Sequence, residues 1–221
     1  MEKTCYIVGA GDNSGTDFLK TENDFVIAAD GGLFALQKRN IRPGVIAADG
    51  GYAHCRQLGV EPDLILGDFD SLGYVPKGDN VIRHEVMKND TDMMLAVKKA
   101  LEIGYRKIKI YGGTGGRMDH TISNIQTMLY ASRKGAEIEM TDSVNRYYVI
   151  TDGAIRINGT SQKGFSIFAI GGTAHKVNIR NAMYLLHDFE LSPDNPTGTS
   201  NSFIGKEVTI SVEKGSLLIV T

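Results

Sequence analysis

The pattern of apolar residues changes near residue 142, and this change constrains the fold more than any other feature of the chain. Before it, apolar runs alternate with segments of helical period, which predicts a mostly parallel sheet with helices on both faces. After it, short strands are separated by turns such as Asp152-Gly153 and Asn158-Gly159, which predicts an all-β sandwich or barrel. We therefore expect an α/β domain over residues 1–141 and a smaller β domain over residues 142–221.

The individual elements follow from the same periods. In the first half we predict strands at Cys5–Val8, Phe25–Ala29, Val45–Ala48, Leu64–Leu66, Val81–His84, Ile108–Tyr111 and Glu137–Met140, and helices at Leu33–Arg39, Ala53–Leu58, Thr91–Ile103 and Thr121–Lys134. In the second half we predict strands at Tyr147–Ile150, Ala154–Ile157, Phe165–Ala169, Ala174–Ile179, Met183–Leu186, Glu207–Val212 and Ser216–Val220.

Composition excludes several classes of protein. Of the 221 residues, 42% are hydrophobic and 23% are charged, so the chain is not disordered and is long enough to bury a core. A net charge of −2 gives no sign of a nucleic-acid or membrane partner, and no apolar run has the length of a transmembrane helix. Cys5 and Cys55 have no metal-ligand spacing and are expected to be buried; together with the absence of a signal-peptide core, they favour a cytoplasmic setting.

A short repeat occupies the first half. The segment Val26–Gly32 recurs as Val45–Gly51 with an offset of 19 residues, and a strand-end aspartate recurs a third time at the same offset, giving Asp30, Asp49 and Asp68. In an open parallel sheet, ligands bind beyond the carboxyl ends of the strands, so these aspartates are placed for a binding crevice. A tight Asp-Gly-Gly turn is the alternative for a single copy, and the third copy favours the crevice.

The third copy continues as Gly67-Asp68-Phe69-Asp70-Ser71. In extended backbone, Asp68 and Asp70 point to the same side, and two neighbouring carboxylates repel unless a cation lies between them. Mg²⁺ prefers such oxygen ligands and often binds one or two carboxylates together with substrate phosphates. We favour a magnesium site over the alternative of a surface turn with two solvated aspartates.

Two further clusters have both structural and functional interpretations. In Lys88-Asn89-Asp90-Thr91-Asp92, Asp90 or Thr91 is a natural N-cap, and a helix N-terminus beside a lysine also favours phosphate. The run from Gly112 to Asn124 begins with a glycine-rich loop and contains Arg117, whose planar guanidinium fits phosphate oxygens. Within that run Asp119 could instead cap the helix, and His120 is as consistent with packing as with acid–base chemistry. The weaker glycine-rich loop Gly9–Gly15 either lines the same crevice or is a plain turn.

Four motifs in this order resemble those of the thiamine pyrophosphokinase (thiamine diphosphokinase) family. They are Ala-Ala-Asp-Gly-Gly, Pro-Asp-Leu-Ile-Leu-Gly-Asp-Phe-Asp-Ser, Lys-Asn-Asp-Thr-Asp and Gly-Gly-Arg-Met-Asp-His, and Ser200-Asn201 near the end of the chain also matches. The resemblance implies an α/β catalytic domain that binds ATP and Mg²⁺ (residues 1–141), followed by a β-sandwich domain for thiamine binding and dimerisation (residues 142–221). It implies a homodimer, with no nucleic-acid or membrane partner, that converts thiamine and ATP to thiamine diphosphate and AMP.

The resemblance also implies roles for individual residues. The magnesium ligands would be Asp68, Asp70 and Asp92, with Asp49 joining them or lying just behind them. Lys88 and Arg117 would face phosphate oxygens, and Asp68, Asp70, Asp92 and Lys88 would be the catalytic set. Asp119 would lie near thiamine and Asn124 would support the loop. Ser200 and Asn201, from the other subunit, would contact the aminopyrimidine. Substrate contacts would also come from Ser71, Asp90, Thr91 and His120.

Two departures from the family pattern matter. The family has one Ala-Ala-Asp-Gly-Gly unit before Gly-Asp-Phe-Asp-Ser, and this chain has two. We assign the functional aspartate to the second copy, Asp49, and expect the extra first copy to lie at or near a sheet edge. In the β domain, Asn181–Leu186 matches a Gly-Leu-x-Tyr-x-Leu pattern imperfectly, and no tryptophan is available to cover the pyrimidine.

Three other functions share parts of this pattern. A diphosphokinase acting on another alcohol, such as a hydroxymethylpterin, would use the same carboxylates. A nucleotide-sugar glycosyltransferase also holds a metal with Asp-x-Asp, although the Gly-Gly-Arg-x-Asp-His motif argues against it. A non-catalytic vitamin- or nucleotide-binding protein would not need the acidic motifs.

Overall fold

A computed structural model of the chain describes residues 3–14, 21–41, 44–47, 65–67, 81–83, 90–161 and 163–221. The chain forms two compact units, one of Met1–Thr127 with Met140–Val144 and the other of Met128–Glu139 with Asn145–Thr221. The predicted domain limits at residues 141 and 142, and the functions assigned to the two domains, stay predictions.

The first unit contains a parallel sheet. Its strands are β1 (Thr4–Val8), β2 (Phe25–Ala29), β3 (Val45–Ala47), β4 (Ile65–Gly67), β5 (Val81–Arg83) and β6 (Lys107–Tyr111), and its helices are α1 (Gly32–Gln37), α2 (Asp92–Glu102) and the start of α3 (Met118–Arg133). The strands are hydrogen-bonded in the order β6-β1-β2-β3-β4-β5, and each pair is parallel. The predicted mostly parallel sheet is confirmed.

Both faces of this sheet are covered. Along β2, Val26 and Ala28 pack with Leu33 and Leu36 of α1, whereas Ile27 alternates with them and is also fully buried. Helix α2 contacts β1, β2 and β3 through an apolar face that includes Met93 and Val97. Strands buried on both faces explain why the sequence here shows continuous apolar runs rather than alternation.

The expected position of the repeat is wrong. The first copy forms β2, which is hydrogen-bonded to β1 on one side and to β3 on the other. It is therefore an interior strand and not an edge strand. The second copy forms β3, which pairs with β4 in turn. The insertion was accommodated by widening the sheet from within, because a fully apolar segment such as Val26–Ala29 is most stable where both of its faces are buried.

The second unit contains two antiparallel sheets. Its strands are β8 (Arg146–Thr151), β9 (Ala154–Ile157), β10 (Gly164–Ala169), β11 (Ala174–Arg180), β12 (Leu186–Leu191), β13 (Asn201–Ser202), β14 (Val208–Ser211) and β15 (Ser216–Val220); β7 (Glu137–Thr141) is divided between the units. One sheet has the order β13-β10-β15-β8 and the other β12-β11-β14-β9. Buried residues of both sheets, such as Ile167 and Val208, form one core. The unit is a β-sandwich.

One predicted strand is displaced. Met183–Leu186 was expected to be extended, but the strand runs from Leu186 to Leu191, and residues 183–185 precede it as irregular backbone. Met183, Tyr184 and Leu185 are more than half exposed, so their apolar character does not report a core position. The apolar run therefore marks an exposed surface, whereas strand β12 alternates polar residues that the apolar pattern did not detect.

Several predictions fall outside the described residues: the helix Ala53–Leu58, Cys55, and the site residues Asp49, Asp68, Asp70, Ser71 and Lys88. Cys5 is fully buried, as predicted, and burial raises the pKa of its thiol. The cytoplasmic setting stays a prediction.

Across the part of the chain that the structure describes, no helix is long and apolar enough to cross a membrane.

The interior position of β2 predicts a large effect on stability. Ile27→Ala should lower the free energy of unfolding by about 2–5 kcal/mol, because it removes a fully buried side chain and leaves a cavity. Val144→Ala is the control, since Val144 is 78% exposed and should change stability by no more than about 0.5 kcal/mol. Urea unfolding measures both, and a loss below about 1 kcal/mol for Ile27→Ala would contradict the interior placement.

Candidate active site

Two glycine-rich loops meet at the carboxyl ends of β1 and β6. The N–H of Gly9 donates to the carbonyl of Tyr111 at 2.8 Å, and that of Gly11 donates to Gly112 at 2.9 Å. Asp12 donates to Thr114 at 2.6 Å. These bonds continue the β1–β6 pairing beyond the strand ends and hold the two loops at backbone distance. The weaker loop of the sequence is thus part of the same structure as the stronger one.

Glycine is required where the loops touch. A Cβ atom at Gly11 would overlap the carbonyl oxygen of Thr114. Gly112 has φ +67°, a left-handed conformation, and a Cβ there would collide with the carbonyl oxygen of Gly9. The spacing of glycines in both loops therefore reflects contact between the loops as well as access for a ligand.

The loops border a cavity of about 330 Å³ in the first unit. Its walls come from the ends of β1 and β2, the N-terminal ends of α2 and α3, and the loop between β6 and α3. The lining residues are Gly9, Ala10, Gly11, Ala29, Asp30, Thr91, Asp92, Met93, Gly112, Gly113, Thr114, Gly116, Arg117, His120, Thr121, Ser123 and Asn124. The position is the one at which open parallel sheets bind ligands.

Helix α2 brings a carboxylate to this cavity. Thr91 is its N-cap, with the Thr91 hydroxyl oxygen accepting a 3.3 Å hydrogen bond from the N–H of Met94. Asp92, in the first turn, is half-buried and lines the cavity. Asp90 lies outside the cavity lining and forms an ion pair with Lys98, in which the Lys98 Nζ to Asp90 Oδ2 distance is 2.5 Å. Capping and site formation thus coexist at Thr91, while Asp90 has a structural partner.

Arg117 and Asp119 form an ion pair with each other. Arg117 Nε donates to Asp119 Oδ1 at 3.1 Å, and its Nη2 donates to Oδ2 at 2.5 Å. The hydrogen bonds raise the pKa of Arg117 and lower that of Asp119. Both side chains are exposed, so water screens the pair and a competing anion can replace the carboxylate. Arg117 and the neighbouring His120 line the cavity; Asp119 does not.

The loop between β6 and α3 is held from behind. Asn124, which is buried, donates from Nδ2 to the carbonyl of Gly113 at 2.7 Å, the contact expected of a residue that supports the loop. The Thr114 hydroxyl donates to Asp142 Oδ2 at 2.7 Å. Because these two bonds fix the loop backbone, its N–H groups can be oriented toward an anion before the anion arrives.

The first loop is stabilised by its own aspartate. Hydrogen bonds from Ser14 and then from Ser143 hold the pKa of the Asp12 carboxyl well below its usual range. The N–H of Ser143 donates to Asp12 Oδ2 at 3.0 Å. Asp12 therefore stays ionised and links the Gly9–Ser14 segment to the chain after β7. The sequence did not single out Asp12 or Asp142, because both contacts join residues that are distant in the chain.

Asp30 lines the cavity although the sequence analysis assigned the functional aspartate to Asp49. Asp30 follows β2 directly and has φ +51°, a conformation that aspartate tolerates better than most residues. The sequence contained a usable signal, because consecutive strands of a parallel sheet are commonly neighbours, and β2 next to β1 puts Asp30 beside the Gly9 loop.

Ser200 and Asn201 lie in the second unit and differ in environment. The Asn201 side chain is buried; its Oδ1 accepts from the N–H of Tyr184 at 3.0 Å and from that of Ser202 at 2.8 Å, and its Nδ2 donates to the Tyr184 carbonyl at 2.6 Å. Ser200 is exposed, with φ +62°, and its N–H donates to the Ser166 hydroxyl at 3.0 Å. Asn201 thus positions Tyr184, while the Ser200 side chain lies at the surface.

An apolar surface adjoins Asn201. Met183, Tyr184 and Leu185 are 59%, 63% and 66% exposed, and the N–H of Met183 donates to the Ser202 carbonyl at 3.0 Å. We call residues 183–185 the apolar segment. Three consecutive exposed large side chains with a fixed backbone are typical of a binding surface.

Comparison with known proteins agrees with this description. Residues 42–140 match the family model for the thiamin pyrophosphokinase catalytic domain, and residues 154–217 match that for the thiamin pyrophosphokinase vitamin B1 binding domain. The chain is 27% identical to thiamine pyrophosphokinase of Bacillus subtilis (strain 168) over 161 residues, which covers 70% of this chain and 75% of that protein.

Solved structures show the same fold. The crystal structure of thiamine pyrophosphokinase from Bacillus subtilis aligns with a TM-score of 0.76 at 22% identity, covering 98% of this chain and 97% of that one. The enzyme from Geobacillus thermodenitrificans aligns with a TM-score of 0.75 at 23% identity, covering 98% and 96%. At these identities the structures establish the fold, and the two family models establish the family. On this evidence from both halves of the sequence, the chain belongs to the thiamin pyrophosphokinase family.

Proposed function

We propose that this chain is a diphosphotransferase that moves the terminal diphosphoryl group of ATP to the hydroxyl group of thiamine, releasing AMP. Membership of the thiamin pyrophosphokinase family supports the formation of thiamine diphosphate. The observation that carries the chemistry is the cavity in which a glycine-rich loop, Arg117 and Asp92 come together.

The donors at the cavity suit a polyphosphate. The loop Gly112–Gly116 supplies backbone N–H groups, and the N-terminal ends of α2 and α3 add favourable dipoles. Arg117 adds a planar pair of donors, which bind phosphate oxygens well once Asp119 releases them. Such groups orient the chain of phosphates and stabilise the negative charge that spreads over the transferred group.

The carboxylates at the cavity fit a divalent cation. Asp92 offers hard oxygen donors of the kind Mg²⁺ prefers, and Mg²⁺ commonly combines one or two carboxylates with substrate phosphates. Among the residues that the structure describes, no three acidic, histidine or cysteine side chains form a complete metal site. We propose that Asp92 binds the cation together with Asp68 and Asp70, with Asp49 beside them. The bound ion would neutralise phosphate charge and so make the β-phosphorus easier to attack.

The transfer itself requires one bond to form and one to break. The thiamine hydroxyl oxygen would bond to the β-phosphorus while the bond from that phosphorus to the oxygen bridging it to the α-phosphorus breaks. AMP then leaves with the bridging oxygen, and the hydroxyl proton is lost to a base. Arg117, Lys88 and the loop N–H groups would hold the β-phosphorus in line with the incoming oxygen. Ser71, Thr91 and His120 would complete the contacts to the substrate.

The alcohol site is proposed to include the second unit of a partner subunit. Ser200 and the apolar segment would cover the aminopyrimidine, with Asn201 holding the backbone of Tyr184 in place. Tyr184 is an exposed aromatic ring, which suits both a flat pyrimidine and the neighbouring thiazolium cation in a chain without tryptophan. Asp119, once free of Arg117, would add negative charge near the same cation.

A product assay tests the proposal. The purified chain with ATP, Mg²⁺ and thiamine should release AMP and form thiamine diphosphate in equal amounts, measured by separating the nucleotides and the thiamine esters. ADP with thiamine monophosphate would contradict attack at the β-phosphorus. If thiamine gives no product while a hydroxymethylpterin releases AMP, the chain is a diphosphokinase for another alcohol.

The role of Asp92 predicts a loss of turnover without a loss of fold. Asp92→Asn should lower kcat/KM at least about a hundredfold, equivalent to about 2.7 kcal/mol of transition-state stabilisation. Glu102→Gln, at the exposed far end of the same helix, should leave kcat/KM within about twofold. Steady-state rates and thermal unfolding measure both effects. Near-normal turnover by Asp92→Asn would remove Asp92 from the cation site.

The apolar segment predicts a dimer that depends on its exposed side chains. Leu185→Glu should convert the dimer to a monomer and raise the KM for thiamine more than that for ATP, because a buried unpaired charge is costly at an interface. Val144→Glu places the same charge on another exposed apolar residue and should leave the dimer intact. Sedimentation velocity reports the assembly; a Leu185→Glu protein that sediments as the wild type would place the interface elsewhere.

A further inference from the structure

Asp30 lies in the cavity but outside the segment that matches the catalytic-domain family model, which begins at residue 42. It stands at the carboxyl end of β2, an interior strand, and its side chain is exposed to the cavity. Among the described residues, no hydrogen bond or ion pair engages its carboxylate. An acceptor group placed in a binding cavity without a protein partner is available to a ligand.

The chemistry of the cavity limits what that ligand group is. The proposed phosphate-binding features are the Gly112–Gly116 loop and Arg117. A carboxylate repels phosphate oxygens, so Asp30 is compatible with a nucleotide only where the nucleotide offers hydrogen-bond donors or a bound cation. Ribose offers two neutral hydroxyl donors in a fixed relation to the phosphates.

The position of Asp30 in the sheet favours ribose. Where a parallel sheet binds a nucleotide at a glycine-rich loop after its first strand, an acidic residue about 20 residues further on accepts hydrogen bonds from the ribose. Here the loop begins at Gly9 after β1, the adjacent parallel strand β2 ends at Ala29, and Asp30 follows Gly9 by 21 residues. The glycine spacing differs from the dinucleotide-binding motif, so the argument rests on strand placement alone.

We propose that the Asp30 carboxylate accepts a hydrogen bond from a ribose hydroxyl of the bound nucleotide and makes this site selective for ribonucleotides over deoxyribonucleotides. The inference rests on the proposed function, because it assumes that the cavity binds ATP. It assigns to the first copy of the repeat a specificity role that the sequence analysis did not consider.

The register of the sheet shows that the two copies are not interchangeable. The repeat has an offset of 19 residues, and β3 pairs with β4 at that offset, Ile46 opposite Ile65. In contrast, β2 pairs with β3 at an offset of 18, with Ile27 opposite Val45. A one-residue difference places equivalent residues of the two copies at different register positions. Asp30 therefore does not simply duplicate what Asp49 does.

The test is nucleotide binding by the intact chain without thiamine. By calorimetry with Mg²⁺, the wild type should bind ATP about tenfold or more tightly than whichever of 2′-deoxy-ATP and 3′-deoxy-ATP lacks the bound hydroxyl. Asp30→Gly removes the carboxylate and, because glycine adopts φ +51° freely, leaves the backbone unstrained. It should weaken ATP binding about tenfold and leave binding of that deoxynucleotide unchanged, so that the discrimination disappears.

Asp188→Gly is the matched control, since Asp188 is exposed, has φ +45° and lies in the second unit away from the cavity. It should retain wild-type discrimination. Equal losses for ATP and both deoxynucleotides, or a loss seen only with Mg²⁺, would make Asp30 a cation ligand and overturn the inference. Unchanged nucleotide binding with a raised KM for thiamine would also overturn it. Wild-type protein that binds none of these nucleotides would contradict the proposed function itself.

Discussion

The cavity depends on one close contact, the one between the backbones of two glycine-rich loops. Four hydrogen bonds between residues 9–12 and residues 111–114 extend the pairing of β1 with β6 beyond the strands. A side chain at Gly11 would push the loops apart, because the Thr114 carbonyl occupies that space. With the loops joined in this way, the backbone near Gly113 is fixed, and the start of α3 is held relative to β1. The groups that could bind phosphate are therefore organised by backbone geometry, and Arg117 adds the charge.

The fold was largely predictable because it depends on short-range periodicity. Continuous apolar runs such as Val26–Ala29 indicated strands buried on both faces, and the structure buries them in this way. The prediction was wrong at residues 183–185, where an exposed apolar surface has the same composition as a buried strand. A hydropathy pattern identifies apolar residues but does not distinguish those that face the core from those that face a partner.

The site was predictable to a smaller extent, because its contacts join residues distant in the chain. The motifs placed Asp92 and Arg117 at one cavity, and the structure brings them there. The ion pair of Arg117 with Asp119 was not expected, since each had been considered for a ligand. Asn201 was considered for a substrate contact, but its amide is used mainly on the backbone of Tyr184. Residue types indicate which interactions are possible; the geometry decides which of them the protein makes for itself.

The repeated segment shows how a sheet accommodates an insertion next to a binding site. Each copy is apolar on both faces, so an edge position would leave one copy half covered, and the interior position buries it. The first copy then lies beside β1, where the loop at Gly9 begins. The second copy pairs onward with β4 at the repeat's own offset. Position next to β1, rather than spacing to the Gly-Asp-Phe-Asp-Ser motif, determines which aspartate borders the glycine-rich loops. Spacing along the sequence and neighbourhood in the sheet thus select different copies, and the chemistry of the cavity follows the sheet.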